Sequence, residues 1–208
     1  MQEPSIKGVL VHGVVEILRK HLERGTIGRD ELEVRLEKAD LELLEQKIVH
    51  AFWYPIDSYA RMVDLALELE GGSREEACRR AGARDAQRMI EAGLYPQLDS
   101  LKRMTEAANM STSEQRFQAL GRLLRLAMSL SKTVYSFGDW KVVPDPEHRR
   151  RYRVEVTDAE RLPEANAIGT VGFLDECSRA ASPDAPIRWA VERPRPDLVV
   201  YRMERSYR

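Results

Sequence analysis

Apolar residues recur every three or four positions through the first two-thirds of the chain, then at every second position in two later stretches. Val9, Leu10, Gly13, Val14, Ile17 and Leu18 make one apolar stripe. It predicts a helix over 6–23 that Gly25 and Gly28 stop. Leu32, Val34 and Leu36 mark a short helical segment over 29–38, and Leu41, Leu44 and Ile48 continue as helix over 40–49. Pro55 biases Tyr54 away from helix and opens the next one. That helix carries Ile56, Tyr59, Met62, Val63, Ala66 and Leu67 on one side, and Gly71-Gly72 ends it. Ser73 with Glu76, and Ser111 with Glu114, have capping-box spacing. The first pair predicts a helix to about Gly93 with Gly82 as its weak point. The second predicts a helix with Phe117, Leu120, Leu123, Leu124, Ala127, Met128 and Leu130. A short helix is expected between them, over 97–109.

Near Tyr135 the period changes to two. Trp140 and Val142, then Tyr152, Val154 and Val156, alternate with polar residues on either side of Pro144-Asp145-Pro146, which reads as a hairpin with one wet face. A helix is expected over 162–180, with Pro163 in its first turn. Its Gly169 and Gly172 lie three apart, a spacing that lets a helix approach a sheet closely. Ile187, Trp189 and Val191, then Val199, Tyr201 and Met203, flank a turn at 193–197 and make a second hairpin. The order predicts an α+β protein, its helix-rich N-terminal two-thirds packed on a four-stranded antiparallel sheet made of two hairpins joined by a helix. The length suits one domain over 1–208, helical to about 132 and hairpin–helix–hairpin from about 133. Lys141, Arg151, Arg153, Glu155, Arg188, Glu192, Arg202 and Glu204 fall on outward strand positions, as a solvated face requires.

Composition narrows the function classes. With 43% hydrophobic and 32% charged residues in 208, the chain has material for a real core. Its 33 basic and 34 acidic side chains leave a net charge of −1, which argues against a nucleic-acid binder. Two cysteines, Cys78 and Cys177, form neither a disulfide framework nor a four-thiolate zinc site, and are expected as thiols in a reducing compartment. No apolar run approaches the ~18 residues of a membrane span. Residues 1–6 lack the basic and apolar regions of a secretory signal. A cytoplasmic location is expected.

The chemistry-bearing residues form no catalytic constellation. His12, His21, His50 and His148 show no metal-ligand spacing, and no nucleophile elbow, P-loop or dinucleotide fingerprint is present. Arg149, Arg150 and Arg151, following His148, make a candidate anion contact at the first hairpin tip, or a solvated loop. The aromatics carry more. Trp53 and Tyr54 with nearby Tyr59, and Tyr135, Phe137 and Trp140 at the helix-to-strand change, are candidate ligand- or partner-binding residues. They either line an apolar pocket or fill the seam between helices and sheet.

Several short motifs, taken in order, carry a resemblance. Ile6-Lys7-Gly8, Trp53-Tyr54-Pro55 with Tyr59, Gly71-Gly72 and Tyr135-Ser136-Phe137-Gly138-Asp139-Trp140 resemble a paralogous domain family of unassigned function expanded in myxobacteria and their relatives. Leu162-Pro163, Gly172-Phe173-Leu174 and the last hairpin extend the resemblance over nearly all the chain. That family is similar in layout to a superfamily of ligand-binding and scaffold domains. It includes the haem nitric-oxide-binding domain, the 4-vinyl reductase-type domain and the TRAPP vesicle-tethering subunits. Such a resemblance implies fold rather than chemistry. The haem branch uses a proximal His and a Tyr-x-Ser-x-Arg motif, and the reductase type a Gly-Asp-x-x-Cys segment. This chain has no Tyr-x-Ser-x-Arg, and its last hairpin has no Cys. No haem, metal or other cofactor is therefore expected. The expectation is a non-enzymatic regulatory or interaction domain that binds a protein partner or itself, as a homodimer. The alternatives are a sensor domain with a small apolar ligand between helices and sheet, and an enzyme of unrecognised type.

Overall fold

The computed structural model describes residues 3–91, 112–181 and 187–206. The helix expected over 97–109 lies outside them.

The chain opens in a strand, not a helix. β1 (Ser5–Lys7) pairs antiparallel with β2 (Trp53–Pro55), Ile6 facing Tyr54. The predicted helix over 6–23 therefore begins two residues late, as α1 (Gly8–Glu23). The reason is the backbone of Ile6 and Lys7, which is spent on the strand pair, while the Gly8 N–H donates to the Phe52 carbonyl at 2.9 Å. A Cβ on Gly8 would fall 2.2 Å from the Val49 carbonyl oxygen, so glycine permits this junction.

α2 (Arg29–Arg35) ends where Leu36 turns extended, three residues short of the expectation. α3 (Lys38–Glu45) is set by a capping box between Glu37 and Asp40 and stops before Ile48, which is buried from a loop. Asp40 is fully buried, and the Arg61 guanidinium donates to both its oxygens at 2.6 and 2.9 Å. That fork is what makes a buried carboxylate tolerable. α4 (Ile56–Glu70) closes this half of the molecule and ends at Gly71 and Gly72, both at positive φ.

α5 (Arg74–Glu91) is capped by Ser73, whose Oγ accepts from the Glu76 N–H. The cap of α6 (Ser113–Ser129) sits one residue later than its spacing suggested. Thr112 and Gln115 form the reciprocal pair, at 3.4 and 3.0 Å. A single turn, α7 (Ser131–Val134), leads into the sheet.

β3 (Asp139–Pro144), β4 (Tyr152–Thr157), β5 (Trp189–Arg195) and β6 (Leu198–Met203) form one antiparallel sheet in the order β3-β4-β6-β5. The α+β architecture expected from the period change is present. Val142, Val154, Tyr201 and Val191 line up across the inner face. On the outer face Arg153 pairs with Glu155, and Arg202 with Glu192. The second turn is tighter than expected. β5 runs on through Pro194 with a register shift between Glu192 and Arg195, which proline tolerates because β5 is an edge strand.

α8 (Glu164–Ala181) packs against both the sheet and α5. Its glycines correct an expectation: the close approach they permit is to a helix. A Cβ on Gly172 would lie 1.9 Å from the Arg79 carbonyl oxygen, and one on Gly82 would lie 1.8 Å from that of Gly169. Gly82 is thus a contact point of α5 rather than a weak one. Two apolar clusters result, one inside α1–α4 and one between α6, α8 and the sheet. Tyr135 and Phe137 pack against both. Among the described residues no helix is long and apolar enough to cross a membrane.

Candidate ligand cavity

A cavity of about 260 Å³ opens where α4, α5 and α8 meet the α6–α7 corner and β3. It exceeds the ~150 Å³ engineered cavity that accepts benzene. Its origin is a set of small residues: Ala81, Gly82, Ala127, Ala165 and Gly169 face it and cannot fill it. Tyr59, Val63, Met128, Trp140 and Phe173 supply larger apolar surface around them.

A few polar groups interrupt this wall. Asn166 Nδ2 donates to Tyr135 Oη at 2.9 Å, while Asn166 Oδ1 is buried with no hydrogen-bond partner. Burial pushes the Tyr135 phenol up to about 12, and raises Tyr59 further still. Asn166 opposes the shift at both phenols, and the Asp85 charge adds to it at both. Among the described residues lining the cavity, Asp85 alone carries a formal charge. Its carboxyl is raised by burial, against the pull of Arg88 and Arg84. Ser131 and Thr170 spend their hydroxyl protons on the Met128 and Asn166 carbonyls, at 2.6 and 2.9 Å. Burial holds the Cys78 thiol above its ordinary range. Behind the wall, Tyr201 Oη is buried without a hydrogen-bond partner; Thr170 is close enough to ease its ionisation, but the Thr170 proton is already given away.

The candidate residues divide. Tyr59, Tyr135 and Trp140 line the cavity. Phe137 stands edge-on to Tyr135, with 5.7 Å between ring centroids, and supports the wall from outside. Tyr54 Oη accepts from the Val49 N–H at 2.9 Å. Trp53 is 38% exposed, with Lys7 Nζ 4.0 Å from its ring centroid. The two aromatic groups flank β1: Ile6 pairs with Tyr54 on one side and bridges to Tyr135 on the other. Arg149, Arg150 and Arg151 sit at the β3–β4 tip, outside the cavity wall. Arg150 reaches Glu114 at 3.8 Å, and Arg151 donates to Ser206 and to the Met203 carbonyl. Asp85 and Asn166 went unnoticed in the sequence. Their signal is one polar residue amid small ones at helical spacing, as in Ala81-Gly82…Asp85 and Ala165-Asn166…Gly169-Thr170.

No family model and no curated protein matches the chain. Among solved structures, a Cs H-NOX mutant with 4-cyano-L-phenylalanine at site 5 shares its layout, with a TM-score of 0.53 at 14% identity. The match covers 97% of this chain and 98% of that one. The likeness is one of fold.

The haem that this layout suggests does not fit the described residues of the cavity wall. No histidine is among the described residues of the wall. His12 and His50 face each other at 4.8 Å, His21 Nδ1 is bonded to Thr26 Oγ1 at 2.8 Å, and His148 lies at the β3–β4 tip. Cys78, Tyr59 and Tyr135 are all held toward their protonated forms, whereas ligation to iron uses thiolate or phenolate. The described wall offers Asp85, and no cation, to a haem's propionates.

Proposed function

We propose that the chain is a sensor domain, without catalytic activity, that takes a small and largely apolar molecule into this cavity. The observation that carries the reading is the cavity itself. It is an apolar space of about 260 Å³ with a few convergent polar groups, the usual composition of a small-molecule site. Its position adds support, because Tyr135 touches both apolar clusters and the cavity at once. Filling the space acts on the joint between the two halves. The finer placement rests on the sequence: the likeness to the myxobacterial paralogues on the motifs quoted above, a single domain on the chain's length, and a cytoplasmic location on its lack of a signal pattern.

Thermal melts of the full chain with neutral aromatic probes, such as ethylbenzene, test the reading. The melting temperature should rise with probe concentration, as a ligand of the native state requires. Ala81→Phe, which puts a ring into the space, should abolish the rise while the chain still melts cooperatively. A melting temperature that no probe moves overturns the reading.

One observation favours a second reading, an interaction domain. Val9 and Phe52 are 51% and 62% exposed beside Val49 and Trp53, at the β1–β2 end of the molecule. Under that reading, Phe52→Asp lowers the mass seen by light scattering from dimer to monomer, with no change in probe binding.

A further inference from the structure

The charge of the wall says which small apolar molecules belong in it, an inference that rests on the ligand-sensor reading above. We infer that the cavity selects apolar amines in their protonated form, with Asp85 as the counter-charge and Tyr59, Tyr135, Trp140 and Phe173 as the aromatic surround.

Three observations lead there. The first is the sign of the wall. Asp85 is the single formal charge among the described lining residues, so the space repels a carboxylate or phosphate and attracts a cation. Arg88 and Arg84 both pull on it from outside the wall. Arg88 Nη1 stands 3.8 Å from Asp85 Oδ1 with the two side chains 78% and 46% exposed, the geometry of a weak, screened surface pair. The second is the hydrogen-bonding inventory. An ammonium brings donors and no acceptor, and so needs acceptors. The Asp85 carboxylate supplies acceptor oxygens and no donor. A fatty acid's carboxylate would bring it the wrong partner. The third is the ring content. Four aromatic side chains face the space. Their faces attract a cation electrostatically, while their area takes up the ligand's hydrocarbon part. The Asp85 side chain is 46% exposed and meets Arg88 only at 3.8 Å, so a bound ammonium brings it a closer counter-charge that a neutral probe does not.

A series of probes that share a phenylethyl group tests this on the full chain by calorimetric titration at neutral pH: 2-phenylethylamine, ethylbenzene and 3-phenylpropionate. The amine should bind about tenfold or more tighter than the neutral probe, and the anion weakest. Asp85→Asn should remove the amine's advantage and leave ethylbenzene binding unchanged. Lowering the pH through the Asp85 titration should weaken the amine alone. If ethylbenzene binds and the amine binds no tighter, the amine inference is overturned while the cavity reading stands. If none of the three binds, both fall. The unsubstituted chain decides between these outcomes even if Asp85→Asn fails to fold.

Discussion

Asn166 on α8 donates its side-chain amide to the hydroxyl of Tyr135 across 2.9 Å, 31 positions away in the chain. The bond spans two structural jobs. Tyr135 bridges to β1 through Ile6 and packs against both apolar clusters, while Asn166 sits in the first turns of the helix beneath the sheet. The pair fastens the cavity wall to the junction between the two halves.

Tyr135→Phe keeps the ring and removes the oxygen. The Asn166 amide then loses its partner in a part-buried site, so the expected loss is about 1–3 kcal/mol. Urea unfolding measures it, with the slope of the transition unchanged if only stability is affected. A loss near zero would mean that water replaces the phenol without cost.

Two glycines predict opposite signs. Gly13 is exposed in α1 with nothing within 4 Å of its would-be Cβ, so Gly13→Ala should stabilise by about 0.5–1 kcal/mol through helix propensity. Gly82 lies in α5 where the same methyl would fall 1.8 Å from a backbone oxygen of α8. Gly82→Ala should destabilise by about 3 kcal/mol, the overpacking cost exceeding the same propensity gain. Paired thermal melts check both; a rise in both variants would contradict the close α5–α8 approach.

The fold was legible wherever one face of an element is buried. The inner-face row of Val142, Val154, Tyr201 and Val191 is the alternation read directly. The stripe of Leu120, Leu123, Leu124 and Ala127 is the helical period read the same way. What escaped depends on contacts distant in sequence. Nothing local marks Ile6 as a strand, because its partner Tyr54 lies 48 positions away. Gly169 and Gly172 announce a close approach but not what approaches. The candidate cavity was half legible for a related reason: Tyr59, Tyr135 and Trp140 advertise themselves by size. The cavity, in contrast, is made by residues too small to be noticed, and Asp85 acquires meaning only once α5 is laid against α8.

The tryptophans separate surface from core. Trp53 keeps 38% of its surface exposed under the Lys7 ammonium, so Trp53→Ala should cost about 1 kcal/mol, the lost cation contact plus partial burial. Trp189 is fully buried, with Nε1 donating to Ser178 Oγ at 2.8 Å, and Trp189→Ala should cost about 3–5 kcal/mol. Chemical denaturation of the two variants side by side gives the contrast. Equal losses would place Trp53 in the core.

The Asp85 carboxyl sets the pH dependence of the cavity wall. Burial raises its pKa in the folded chain, with Arg88 and Arg84 pulling the other way, from an ordinary value of 3.8. Where pH exceeds the raised value, both states carry the charge and the folded one carries it at a cost. As pH falls from the raised value toward 3.8, the folded chain takes up the proton first, so this site's contribution to stability improves. Asp85→Asn removes the cost outright. The variant should melt above the parent chain at neutral pH, and the gap should narrow on acidification through the raised pKa and close below the ordinary one. Melting curves of the pair across that range provide the check; a variant that melted below the parent chain at neutral pH, by a margin that shrank on acidification, would mean the carboxylate is held by an ion pair rather than stranded. A carboxylate with one loose ion pair to Arg88, in a wall whose other described residues are uncharged, is placed for a cation that arrives from outside.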